Sequence, residues 1–128
     1  MDNQLFLEEF ENASLKEFSH TDHIRMAWLY LCRDGWDIGY PNIRAGLKHF
    51  AMTLGVSDKY HETLTGFWAR LVLHCIDTQP EIDDFEEFKE TFPMLFTSDA
   101  MKKYYSDDVL WSDTARTQWI APDIEPMP

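Results

Sequence analysis

Residues 57–78 read SDKYHETLTGFWARLVLHCIDT and are followed closely by Pro80. Leu64, Phe67, Trp68, Leu71, Val72 and Cys75 recur at intervals of three and four, the spacing that lines up side chains on one face of an α-helix. Ser57 or Asp58 is placed to open this helix, and Pro80 bars it from continuing past about Thr78. No stretch of the chain alternates polar and apolar residues for long enough to make a strand. The expected fold is therefore all-α, a compact single-domain bundle of four to six helices over residues 1–128. Short C-terminal helices and an extended, proline-containing tail complete it.

Upstream of this stretch the same periodicity predicts three more helices. Leu5, Phe6 and Phe10 make a short apolar stripe, giving a first helix over about Asp2 to Asn12. Thr21 is placed to cap a second, Asp22 to Asp34, with Gly35 just past its end; it is apolar on most sides and must be central. Pro41 suits the first position of a third helix that Gly55 stops, with Ile43, Leu47, Phe50 and Leu54 inward. Downstream, the acidic run Glu81 to Glu87 leads into a helix ending near Pro93, and Ser98, Ser106 and Ser112 look like caps of short helical pieces. Pro122, Pro126 and Pro128 describe a tail lying across the other elements.

The chain of 128 residues is 45% hydrophobic and 15% aromatic, enough large apolar groups to close one core without disulfides. Eleven basic against 23 acidic side chains leave a net charge of -12, which repels phosphate backbones and anionic lipid and disfavours nucleic-acid and membrane-surface roles. Its longest apolar run, Met26 to Cys32, is too short to span a bilayer, and the acidic start Met1-Asp2-Asn3-Gln4 does not resemble a signal peptide. Cys32 and Cys75 lie in hydrophobic sequence outside any CxxC, as expected of buried free thiols in a reducing compartment.

Projected on helical wheels, the five histidines separate. His49 and His74 fall on polar faces, the latter with Thr63, Arg70 and Asp77. His61 shares the arc of Leu64, Trp68 and Val72, with Glu62 one step round. Thr65, Gly66 and Ala69 beside Glu62 form a stripe of small residues that either admits a neighbouring helix closely or leaves a cavity. His20 and His23, three apart at the mouth of the second helix, can converge, and Arg25 nearby is expected to need a carboxylate partner. If the two helix mouths met, His20, His23, His61 and Glu62 would offer three imidazoles and a carboxylate, a donor set for one divalent transition metal: Fe, Zn, Cu, Ni or Mn. Each of these residues has an ordinary structural use as well: caps, carbonyl hydrogen bonds and an ion pair. No HExxH, GxSxG, P-loop or GxGxxG is present.

The segments HTDHIRMAWLYL, residues 20–31, and YHETLT, residues 60–65, carry the patterns HxxHxRxAWLYL and YHETxT. Together with Tyr104-Tyr105-Ser106, Leu110, Arg116, Trp119, Pro122 and Asp123, they resemble a family of short, uncharacterised bacterial helical proteins, from about residue 18 onward. The resemblance implies a bacterial, cytoplasmic protein and brings no activity, cofactor or catalytic residue with it.

Two functions from different classes follow. One is a metal-dependent enzyme acting on a small organic molecule, with His20, His23 and His61 as ligands and Glu62 as fourth ligand or, with His61, as the proton-transfer group. Arg25, Thr65, Tyr105 and Arg116 would then hold the ligand, an anionic one if Arg116 faces the histidines. The other is a non-catalytic helical module binding a metabolite or a partner protein, its acidic, aromatic-rich C-terminal half steering toward a basic surface while the His/Glu cluster is structural.

Overall fold

The computed structural model describes residues 1–97 and 99–128, so the cap expected at Ser98 lies outside the described residues. These residues hold six α-helices, three 3₁₀ turns and no strand, which is the all-α class that the periodicity predicts. The chain divides into two units, Met1–Tyr60 and His61–Pro128.

In the first unit, α1 (Asn3–Glu11) is capped by the Asp2 carboxylate, which accepts from Leu5 N–H, and it buries Phe6, Leu7 and Phe10. Leu5, expected inside, is exposed; the inward stripe is set one step round the wheel. The helix ends in a Schellman turn, with Ala13 N–H donating to Phe10 O and Ser14 N–H to Glu9 O. That turn holds Ala13 at φ 55, a left-handed conformation more often given to glycine.

α2 (His20–Thr53) merges the second and third expected helices. Its cap is Ser19 rather than Thr21: the Ser19 hydroxyl accepts from Asp22 N–H and the Asp22 carboxylate accepts from Ser19 N–H, a reciprocal capping box. Gly35, at φ 73 and ψ -175, breaks the helical path, and the second arm resumes at once instead of waiting for Pro41, which lies inside it. The break reverses the chain. Phe18, just before α2, and Phe50, near its end, have ring centroids 5.0 Å apart, whereas thirty residues of straight helix would separate them by about 45 Å. Close approach of the arms depends on small residues. A Cβ on Gly39 would meet Tyr30 O at 2.9 Å, and one on Gly46 would meet the Phe10 ring at 2.5 Å. The rings of Phe10, Phe18 and Phe50 meet in a triangle and Tyr30 of the first arm meets Phe10, so α1 and both arms share one aromatic cluster. Leu54, expected inside, is the exposed C-cap, and Gly55 closes the arm in a second Schellman turn.

The second unit opens with α3 (Glu62–Thr78), capped by the His61 ring; the residues expected to begin it, Ser57–Lys59, form a separate 3₁₀ turn. α4 (Phe85–Thr91), capped by Asp84, and 3₁₀ turns at Pro93–Phe96 and Ala100–Lys103 follow. Phe85, Phe88, Phe92 and Phe96 form a chain of ring contacts there. α5 (Asp107–Leu110) and α6 (Asp113–Thr117) are capped by Ser106 and Ser112, as their spacing predicts. α6 packs on α3, Ala115 and Ala69 are almost wholly covered, and residues 118–128 form a tail outside any helix, bent at Asp123, Ile124 and Glu125.

Candidate functional site

His61 sits where the chain enters α3, and both of its ring nitrogens are engaged. Nδ1 accepts from Leu64 N–H at 3.0 Å, capping the helix, and Nε2 lies 2.8 Å from Leu110 O at the end of α5. This pair of contacts fixes the neutral tautomer with the proton on Nε2, which donates to the carbonyl. Burial lowers the His61 pKa, the Leu110 bond opposes that, and the Arg116 charge lowers it further, so the neutral ring is the native one. The indole of Trp111, 58% exposed, meets the imidazole edge-on with centroids 5.7 Å apart. As it stands, His61 has no ring nitrogen left for a metal.

Glu62 and Thr63, the first residues of α3, are the buried polar side chains among the described residues. Thr63 was expected on the solvated side with His74; it is 0% exposed. Its hydroxyl donates to Gln118 O at 2.8 Å and accepts from Ile120 N–H at 3.1 Å. Thr65 donates to His61 O within the first turn, and the Tyr105 hydroxyl donates to Ile120 O at 2.6 Å, its pKa pushed up to about 12 by burial. The protons of both hydroxyls are thus committed to main-chain carbonyls. Arg116 is exposed, near enough to His61 for its charge to act on the ring. His49 and His74 are exposed, as expected.

His20 and His23 belong to the first unit, on the opening turn of α2. The His23 ring lies 4.1 Å from that of Phe18, centroid to centroid. Desolvation, then the neighbouring His20, lower its pKa to about 4 against the pull of Asp22. The ring is therefore neutral at pH 7. Arg25 does not take the carboxylate partner expected of it. Its guanidinium donates to Asn3 Oδ1 at 2.8 Å and Met1 O at 2.7 Å, and lies 4.4 Å over the Phe6 ring, which ties α1 to α2. No group of three or more His, Cys, Asp or Glu that could hold a metal ion occurs among the described residues. Nor is any helix of those residues long and apolar enough to cross a membrane.

The first unit contains nine acidic and six basic residues, whereas the second contains fourteen acidic and five basic. Around α4 the segregation is complete: Ile82, Phe85 and Phe88 are buried, while Glu81, Asp83, Asp84, Glu86, Glu87, Lys89 and Glu90 are all exposed. Cys75 is buried but Cys32 is exposed, against the expectation of two buried thiols. No family model, curated protein or solved structure matches the chain.

Proposed function

We propose that the protein is a non-catalytic helical module that docks a partner protein with a basic surface, using the acidic face of α4 and the segment leading into it. The observation that carries this reading is the sorting of Glu81–Glu90, with every apolar side chain turned in and six carboxylates turned out against a single lysine. A concentrated field of one sign raises encounter rates with an oppositely charged surface and rejects like-charged ones. His61, Thr65 and Tyr105, which the enzymatic reading would need free for metal, proton transfer or ligand, are instead bonded to main chain. On the motif resemblance, we place the protein in a bacterial cytoplasm.

The test compares the double variant Glu86→Lys/Glu87→Lys with Glu8→Lys/Glu9→Lys on α1, which changes net charge equally. Binding of a fluorescein-labelled deca-lysine probe is read at low and moderate salt. Wild type binds and weakens with salt; the α4 variant loses several-fold more affinity than the α1 variant. Equal losses in the two variants would show that net charge alone is read, and would end the proposal.

A second reading, the metal-dependent enzyme, is favoured by one feature: the Glu62 carboxylate is buried, 7% exposed, on the first turn of α3. A carboxylate shielded from water beside His61 is placed to serve that reading as fourth ligand or proton-transfer group. Stoichiometric transition metal in untagged protein, lost in Glu62→Gln and His61→Ala, would favour it; wild-type protein without metal would remove it.

A further inference from the structure

Residues 118–128 lie on the second unit with none of their side chains buried, and Ile124 is 56% exposed. Yet this thin layer is held by an unusual concentration of directed contacts. Thr63 Oγ1 donates to Gln118 O and accepts from Ile120 N–H, so one hydroxyl supplies both bonds that an edge strand would offer to alternate residues. The Tyr105 hydroxyl donates to Ile120 O, and Tyr104 O accepts from Ile124 N–H at 2.9 Å. Two side chains are recognised as well: the Arg70 guanidinium lies 3.8 Å over the Trp119 ring, and Ser106 N–H donates to Asp123 Oδ1 at 2.9 Å.

We infer that Thr63, Arg70, Tyr104, Tyr105 and Ser106 form a peptide-binding cradle, which the tail fills in cis. Its ligand class is an extended segment of a partner protein with an aromatic residue and, four positions later, a carboxylate.

The cradle belongs to the fold and its occupant does not. With the tail in place Thr63 is 0% exposed and Tyr105 2% exposed, their hydroxyls held against it, whereas no side chain of the tail is buried to that degree. Four of the six contacts go to the main chain of the tail, so they accept any extended sequence. The remaining two choose an aromatic face and an anion. This division of labour is that of strand-addition recognition, where backbone bonds give affinity and a few side chains give specificity. The tethered tail has a high effective concentration, so an incoming segment competes with it and engages when the tail lifts. None of the cradle residues belongs to the acidic face of α4, so charge reversal at Glu86 and Glu87 is expected to leave it intact.

The test uses full-length ¹⁵N-labelled protein and amide exchange followed by NMR. The Ile120 and Ile124 amides exchange at least tenfold faster than those of Leu71 and Val72, showing that the tail lifts while α3 holds. Excess unlabelled peptide spanning residues 117–128 then accelerates exchange at the protein's own Ile120 and Ile124. Peptides carrying Trp119→Ala or Asp123→Asn do so at least fivefold less. A single common rate for tail and α3 amides overturns the inference, as does a wild-type peptide without effect. A concentration-dependent dimer that exchanges tails also overturns it, because the occupant would be a second copy. All decisive readings come from the wild-type chain, so no variant needs to fold for the outcome to count.

Discussion

The carbonyl of Leu110 receives the Nε2 proton of His61 across 49 residues of sequence, while the other ring nitrogen of His61 caps α3. One neutral side chain thus joins the start of α3 to the end of α5. Replacing an N-cap side chain by alanine costs about 0.5–2 kcal/mol, and loss of the Leu110 partner adds to that. His61→Ala is expected to destabilise accordingly in urea titration, with His61→Asn intermediate because its amide can still cap. A change within experimental error for His61→Ala would show that the ring carries no structural load.

Protonation should mimic that substitution. Burial lowers the native pKa of His61, and that of His23 falls to about 4, against 6.5 for each when unfolded. A group whose native pKa is depressed contributes stability that is complete above 6.5 and lost as pH falls toward the native value. The midpoint of urea unfolding is therefore expected to decline from pH 7 to pH 4.5, and more shallowly in His61→Asn and His23→Asn. Parallel curves for wild type and both variants would place the acid sensitivity in the carboxylates.

Gly46 faces the Phe10 ring, which itself packs against both Phe18 and Phe50. Overpacking a core of this kind costs about 1–3 kcal/mol, so Gly46→Ala is expected to be strongly destabilising. Gly35→Ala meets no atom within 4 Å, and its cost is the backbone alone, φ 73 with ψ -175 being a conformation essentially reserved for glycine, about 1–3 kcal/mol. Thermal melts of the two variants and their double measure both.

Ala13 and Gly55 occupy equivalent left-handed positions in two Schellman turns. The strain at an alanine there outweighs the extra chain entropy of glycine by roughly 0.5–1 kcal/mol. Ala13→Gly should raise the urea midpoint, and a lowered one would mean that the Ala13 methyl is a packing contact.

Cys32 and Cys75 differ in access but not in the direction of their pKa shifts. Burial pushes Cys75 up to about 11, and desolvation also raises Cys32, although that residue is exposed. Iodoacetamide at pH 7.5 should therefore add one group slowly, at Cys32, as read by intact mass and peptide mapping. A second adduct on the native protein would show that the core around Cys75 opens.

Helix class was legible because apolar spacing survives any choice of boundary, and Ser106 and Ser112 were legible because a cap needs only its own side chain and the next turn. Boundaries failed where a neighbour competed. Thr21 lost the cap of α2 to Ser19, whose reciprocal bond with Asp22 satisfies two donors at once. The start at Pro41 was wrong because Gly35 reverses the chain in one residue. Thr63 reads as solvated because a wheel reports only the face a residue occupies, and its partners are tail carbonyl and amide groups that no helical period encodes. For the same reason the partners of Arg25 proved to be an amide oxygen and a carbonyl oxygen, groups that carry no charge by which to guess them.

The reversal at Gly35 has a kinetic corollary. Because α2 doubles back on itself beside α1, the contacts that hold these elements together, Phe10 with Phe50 among them, close within the first sixty residues. During synthesis this segment can collapse while the ribosome is still adding the remainder.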